Sequence, residues 1–187
     1  MSLAGEARSL RRPPAGGGAA PPAVGEAAPM LPGAELDAGR PWLVAFLRHV
    51  GCPFAEATLR SLRETATAEP GVQCVAVTHS EPAVAAAWAE RSGGLGAAQL
   101  VSDPARRAYA AWGLGRTSVR HFAGARSLRA VGRLARRGVR NTAADGTRWQ
   151  GAGAFAVGAD GRICAVHLPA HAGDLPDLRA LAAAARR

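Results

Sequence analysis

From Pro41 onward the chain alternates between two kinds of hydrophobic pattern. "WLVAFL" (42–47) is a short continuous apolar run, as expected of a strand covered on both faces. Helical spacing follows: Ala55, Leu59, Leu62 and Ala66 share one stripe, and Glu56, Arg60 and Glu64 stand opposite at i, i+4 intervals. Pro53 takes the N1 position that helices favour, and "EPG" (69–71) stops this one. "VQCVAVT" (72–78) predicts a second buried strand. Ser80 then reads as the cap of a helix over "EPAVAAAWAERS", which Gly93 and Gly94 close. "AQLVS" (98–102) predicts a third, shorter strand, and Asp103 with Pro104 caps a helix over "ARRAYAAWG".

This β-α-β-α-β-α rhythm is that of a parallel sheet with right-handed crossovers. Further on, "ARSLRAVGRLARRG" (125–138) predicts a basic helix with Leu128, Val131 and Leu134 inward. "GAFAVG" and "RICAVHL" flank Ala159, Asp160 and Gly161, a β-hairpin signal, and Asp174 is placed to cap a last helix, "PDLRALAAAARR". A βαβ unit followed by a ββα unit is the thioredoxin-like architecture. The expected fold is therefore α/β, a central mixed sheet with a parallel βαβ half and a C-terminal β-hairpin plus helix, residues 98–113 being inserted between the halves.

Composition adjusts the boundaries. The chain has 187 residues, of which 48% are apolar, enough for one domain with a substantial core. Residues 1–33 are rich in Gly, Pro and Ala and are expected to be disordered or loosely ordered, leaving 34–187 as the domain. The net charge is +9, and all 23 basic residues are arginine. Nine arginines fall between 116 and 148 against Asp145 alone. The arginines of the basic helix, between 126 and 140, lack interleaved aromatic residues and any recognised DNA-binding pattern, so a solvated face is favoured over nucleic-acid binding. No apolar run approaches the ~18 residues that span a bilayer, and no secretory pattern opens the chain. The three cysteines, 52, 74 and 164, fit neither a disulfide framework nor a zinc site, which points to a reducing, cytoplasmic setting.

The chemistry centres on Cys52. It falls between a strand end and a helix start, where the helix N-terminus favours an anion, with Arg48 and His49 just upstream. That setting favours the reactive thiolate. Cys74 and Cys164 stand mid-strand among apolar neighbours and read as inert core residues. His49 serves either as a base or donor beside Cys52 or as a polar filler of the turn. His79 reads as a capping or exposed residue sooner than as part of the site. His167, His171 and Asp174 are better explained as loop histidines and a capping aspartate than as metal ligands, so no metal and no cofactor are expected. Trp88, Tyr109 and Trp112 read as core. A phosphatase-type loop is excluded by spacing, since Cys52 to Arg60 is C-x7-R rather than C-x5-R.

"FLRHVGCPFAEATLRSL" resembles the F-x-R-H-x-x-C-x-x-C segment of the peroxiredoxin-like 2 group in the AhpC/TSA antioxidant-enzyme family. The likeness continues through "VAVTHSEPAVAAAWAERSG", through the D-P-x-R-x-x-Y pattern of "LVSDPARRAYAAWGL", and through "WQGAGAFAVGADGRICAVHLPAHAGDLPDL". It implies a thioredoxin-like fold and thiol-dependent reduction of peroxides or related oxidised substrates. By position, Cys52 becomes the attacking cysteine, with Arg48 and His49 as the preceding R-H. Ala55 stands where many members carry a second cysteine, His49 where true peroxiredoxins carry Thr, and Gly151 to Ala154 where thioredoxins place a cis-proline. The expectation is therefore one-cysteine chemistry, with a peroxide or oxidised small molecule as substrate and an external thiol as reductant. A homodimer is compatible with it. The alternatives are a non-catalytic thioredoxin-fold scaffold and, third, an arginine-rich nucleic-acid-associated protein.

Overall fold

The computed structural model describes residues 19–117 and 147–187, with the isolated positions 132 and 136. The basic helix expected over 125–138 and most of the Arg-rich segment lie outside the described residues. Strands β1 (Trp42–Phe46), β2 (Gln73–Thr78), β3 (Gln99–Ser102), β4 (Gly153–Val157) and β5 (Ile163–His167) form a five-stranded sheet in the order β3-β2-β1-β4-β5. β1, β2 and β3 run parallel, whereas β4 is antiparallel to β1 and β5 to β4. This is the mixed sheet that the alternation predicts.

Because successive side chains alternate across a strand, each strand feeds two cores. Leu43, Ala45, Cys74 and Ala76 face helices α1 (Pro53–Ala68), α2 (Pro82–Arg91) and α4 (Leu178–Ala185), where Leu59, Leu62, Trp88 and Leu181 close the layer. Val44, Phe46, Val75, Val77 and Phe155 face the short helix α3 (Arg107–Ala111), with Tyr109 and Trp112. Aromatic rings interlock there, Phe46 with Tyr109 at 5.1 Å and Trp112 with Phe155 at 4.9 Å between centroids. Trp88, Tyr109 and Trp112 are core residues, as expected. The α1 stripe of Ala55, Leu59, Leu62 and Ala66 is buried, and Arg60 meets Glu56 at 3.4 Å across the outer face.

The segment preceding the domain, expected to be loose, lies against it from residue 19 on. Ala27 bridges Arg162 in antiparallel fashion, the Gly25 N–H donates to the Ile163 carbonyl at 2.8 Å, and Leu31 enters the second core. Gly113, at φ +68°, lets the chain pass: a Cβ there would collide with the backbone of Ala20 and Pro21.

Two caps differ from the sequence reading. α2 is capped at Glu81, not Ser80, because Pro82 occupies N1 and holds the residue before it in extended geometry. Ser80 turns inward and pairs with the Thr78 hydroxyl at 3.4 Å. α4 is capped by Asp177, whose Oδ1 accepts from the Ala180 N–H at 3.0 Å, not by Asp174. Pro176 keeps Leu175 out of helical geometry, so the helix cannot begin from Asp174. Asp103 does hold α3, accepting from the N–H groups of Arg107, Ala108 and Tyr109 across the left-handed Arg106 (φ +55°).

Candidate active site

The carboxyl ends of β1, β2, β3 and β5 and the start of β4 lie along one edge of the sheet, where loops and helix N-termini gather. Beyond β1 the chain turns through Gly51 at φ +82°, a backbone position that disfavours any side chain. The Cys52 N–H donates to the His49 carbonyl at 3.3 Å, closing the turn. Cys52 is thereby the N-cap of α1 (φ −80°, ψ 125°), with Pro53 at N1 and its thiol making no capping hydrogen bond. The sixteen-residue helix directs its positive end at this residue.

Arg48, His49 and Cys52 come together in this turn, and all three are buried, at 7%, 1% and 3% exposure. Burial lowers the Arg48 pKa from its ordinary value, Cys52 opposes that fall, and Arg148 reinforces it. The guanidinium Nη2 donates to the Arg148 carbonyl at 3.3 Å. His49 is different in kind. Its Nδ1 donates to the Val50 carbonyl at 2.7 Å, which places the ring proton on Nδ1 and leaves Nε2 as an acceptor. Burial above all pushes its pKa down to about 3; the Val50 hydrogen bond opposes this, while Arg48, Arg148 and His79 add to it. His49 is a neutral imidazole plugging the turn and cannot supply a positive charge near neutral pH.

His79, read from sequence as capping or exposed, is buried, edge-on to Tyr109 at 6.0 Å and close enough to His49 to bear on its charge. Tyr109 reaches the same edge from α3. Its hydroxyl lies 2.5 Å from the Leu47 carbonyl and 2.9 Å from that of Val77, tying together the ends of β1 and β2. Burial raises its pKa well above the ordinary phenol value, so the proton stays on oxygen to be donated.

A small open cleft of about 30 Å³ lies beside the turn. Arg48, Phe54, Ala55 and Thr58 line one side and His167, Asp174 and Leu175 the other. Cys52 and His49 are not among its lining residues. The cleft wall and the Tyr109 tie escape a reading of local patterns; the D-P-x-R-x-x-Y spacing is the one signal that points toward Tyr109.

The start of β4 has no cis peptide bond, and none occurs among the described residues. Gly151 passes so close to the loop after α3 that a Cβ there would stand 2.6 Å from the Gly115 carbonyl oxygen. His167 lies 3.3 Å from the Asp174 carbonyl and 3.8 Å from its carboxylate, and Asp174 Oδ2 accepts from the Ala170 N–H. Among the described residues, no group of three or more His, Cys, Asp and Glu is arranged to hold a metal. Cys74 is buried, and burial chiefly, with Glu69, raises its pKa to about 11. Cys164, expected in the core, is instead half-exposed on the outermost strand β5. No helix among the described residues is long and apolar enough to cross a membrane.

No curated protein matches the chain. Among solved structures, a thiol peroxidase from Chromobacterium violaceum shares 16% identity over 88% of each chain, with a TM-score of 0.55. A peroxiredoxin-like protein from Aquifex aeolicus shares 14% over 78% of this chain and 70% of its own, with a TM-score of 0.54. At such identities the likeness establishes the fold, which is thioredoxin-like. The model of the AhpC/TSA antioxidant enzyme family matches residues 58–171, more than half of the chain, and the chain belongs to that family.

Proposed function

We propose that the protein is a thiol-dependent oxidoreductase that reduces a peroxide or related oxidised substrate through Cys52, with an external thiol completing the cycle. The observation that carries this reading is the placement of Cys52 as the N-cap of α1, with the Arg48 guanidinium bearing on its charge. A helix end and a nearby cation are the surroundings in which nucleophilic cysteines are found. The thiolate attacks one peroxide oxygen, the O–O bond breaks, and the departing oxygen leaves as hydroxide and takes up a proton to become water. Cys52 is left as sulfenic acid. One external thiol then displaces hydroxide to form a mixed disulfide, and a second releases Cys52 and departs as the oxidised thiol dimer.

Geometry supports the external thiol. Cys74 lies four residues before the end of β2 and Cys164 three before the end of β5, so at ~3.3 Å per residue both sit roughly 10–13 Å down the sheet from the edge that carries Cys52. Ala55 supplies no thiol. The family membership and the peroxidase and peroxiredoxin names of the structural relatives agree with this chemistry.

The burial of Cys52 favours one other reading, a thioredoxin-fold scaffold without turnover. The two separate on treatment with stoichiometric hydrogen peroxide and a sulfenic-acid trap, followed by peptide mass analysis. A Cys52 adduct forming faster than on a free cysteine, and absent from Cys52→Ser, supports the enzyme; reaction no faster than a free cysteine leaves the scaffold.

A further inference from the structure

Two narrow covers close the second core. Among the described residues, α3 and its exit supply Ala108, Tyr109, Trp112 and Leu114, and the segment 19–40 supplies Leu31, with Ala28, Ala34 and Leu36 packed at the margin. That segment is a strap reaching both edges of the sheet. At one edge it pairs with β5 and its turn: the Ile163 N–H donates to the Glu26 carbonyl at 2.8 Å and the Ala28 N–H to the Gly161 carbonyl at 2.9 Å. Toward the other edge two glutamines clasp it. Gln73 on β2 and Gln99 on β3 stand on the face of Val75 and Val101, by strand alternation. The Gln73 carboxamide accepts from the Asp37 N–H at 2.7 Å and donates to the Asp37 carbonyl at 3.1 Å. The Gln99 carboxamide does the same for Glu35, at 2.8 and 2.5 Å. Alternate residues of the strap thus exchange both backbone groups with a partner, as the hydrogen-bonded pairs of an antiparallel ladder do.

We infer that this strap opens together with α3 as one cooperative unit, and that the opening admits reagents larger than a peroxide to Cys52. Contacts link the parts in sequence. The backbone of Ala20 and Pro21 passes so close to Gly113 that a Cβ there would stand 2.2 Å from the Pro21 nitrogen, so the strap braces the end of α3. Leu31 and Trp112 belong to one apolar cluster. α3 carries Tyr109, whose hydroxyl holds the Leu47 carbonyl, and His79, edge-on to Tyr109, bears on His49 inside the Cys52 turn. The strap itself is lightly anchored: Leu31 is buried, but Val24 and Met30 are exposed, and most of its other anchors are hydrogen bonds that water can replace. Such segments lie at the low-stability end of a fold. Cys52 is 3% exposed and the cleft beside its turn measures about 30 Å³, so a bulky reagent reaches the thiol only after an opening. The inference goes beyond the peroxide chemistry and does not rest on it, since alkylation needs only the thiol.

The test compares the full chain with the double variant Gln73→Met, Gln99→Met, which keeps both unbranched stems and removes the four clasp bonds. Hydrogen exchange is followed at the amides of Gly25 and Ala28, far from the clasp along the strap, at Trp112 and Leu114 at the end of α3, and at Leu47. The amides of Leu59 and Leu62 in α1 are the reference. The first five should accelerate together by about tenfold, as loss of the clasp warrants, and the α1 amides should not move. Alkylation of Cys52 by N-ethylmaleimide, read by peptide mass, should accelerate by the same factor. Leu31→Ala, which loosens the strap at its middle, should reproduce the pattern. Faster exchange at Gly25 and Ala28 with Trp112, Leu114 and Leu47 unmoved overturns the coupled unit, and so does an equal acceleration that includes α1. Coupled exchange with an unchanged maleimide rate overturns the admission of reagents to Cys52. No acceleration in either variant overturns the strap as the brace of α3.

Discussion

The Tyr109 hydroxyl donates to the Leu47 carbonyl, 2.5 Å away and immediately before the Arg48 to Cys52 turn. The Val77 carbonyl stands 2.9 Å from the same oxygen and also accepts from the Leu47 N–H. One phenol from the opposite layer thus fixes the point where the Arg48 to Cys52 turn leaves the sheet. Tyr109→Phe should lower unfolding stability by about 1–3 kcal/mol, since it takes its donor from the buried Leu47 carbonyl. It should also slow sulfenic-acid formation at Cys52. Denaturant melts and the trapping rate check the two effects, and a stability loss with an unchanged trapping rate would limit Tyr109 to a structural role.

Ala55 sits one turn beyond Cys52 on α1. Ala55→Cys should convert the chain to a dithiol: after one equivalent of peroxide, a disulfide between Cys52 and the introduced thiol replaces the trappable sulfenic acid. The lifetime of that sulfenic acid should shorten by about a hundredfold or more, because an intramolecular thiol acts at high effective concentration. Intact mass, lower by two hydrogens than the reduced chain, reads the outcome.

Arg48 lies in the same buried turn as Cys52, which opposes the lowering of its pKa. Arg48→Met keeps an unbranched apolar stem and removes the cation, so iodoacetamide alkylation of Cys52 near neutral pH should slow by about tenfold. Alkylation of the half-exposed Cys164 in the same sample is the internal control, and its rate should not move.

His49 is held neutral, with its pKa lowered to about 3. Between that value and the ordinary 6.5 the unfolded chain binds a proton that the folded chain refuses, so stability rises with pH through this window. The contribution is complete above about 6.5 and is lost as pH falls toward 3, with a slope of up to about 1.4 kcal/mol per pH unit. His49→Asn, which retains an N–H for the Val50 carbonyl, should show a shallower fall over the same range in denaturant melts.

Local patterns carried the strands and most helix limits because each rests on near neighbours. The apolar run of β1 must be covered on both faces wherever it lies, and Pro53 marks the first turn of α1 in any context. Asp160 and Gly161 likewise make a turn by their own backbone preferences, with Gly161 at φ +77°. The position of Cys52 at a helix start was therefore legible, and so was the absence of a second thiol at Ala55. Contacts between distant segments decided the rest. His79 and Ser80, polar at a strand end, face inward because α3 brings Tyr109 over that edge. Cys164 is half-exposed because β5 is the outermost strand, which strand order alone settles. The cleft exists because residues 167–176 fold back across α1, more than a hundred positions along the chain from Arg48. Spacing in the sequence announced a thiol beside a cation, but the packing that buries both and opens a slot next to them arises only when both halves of the sheet meet.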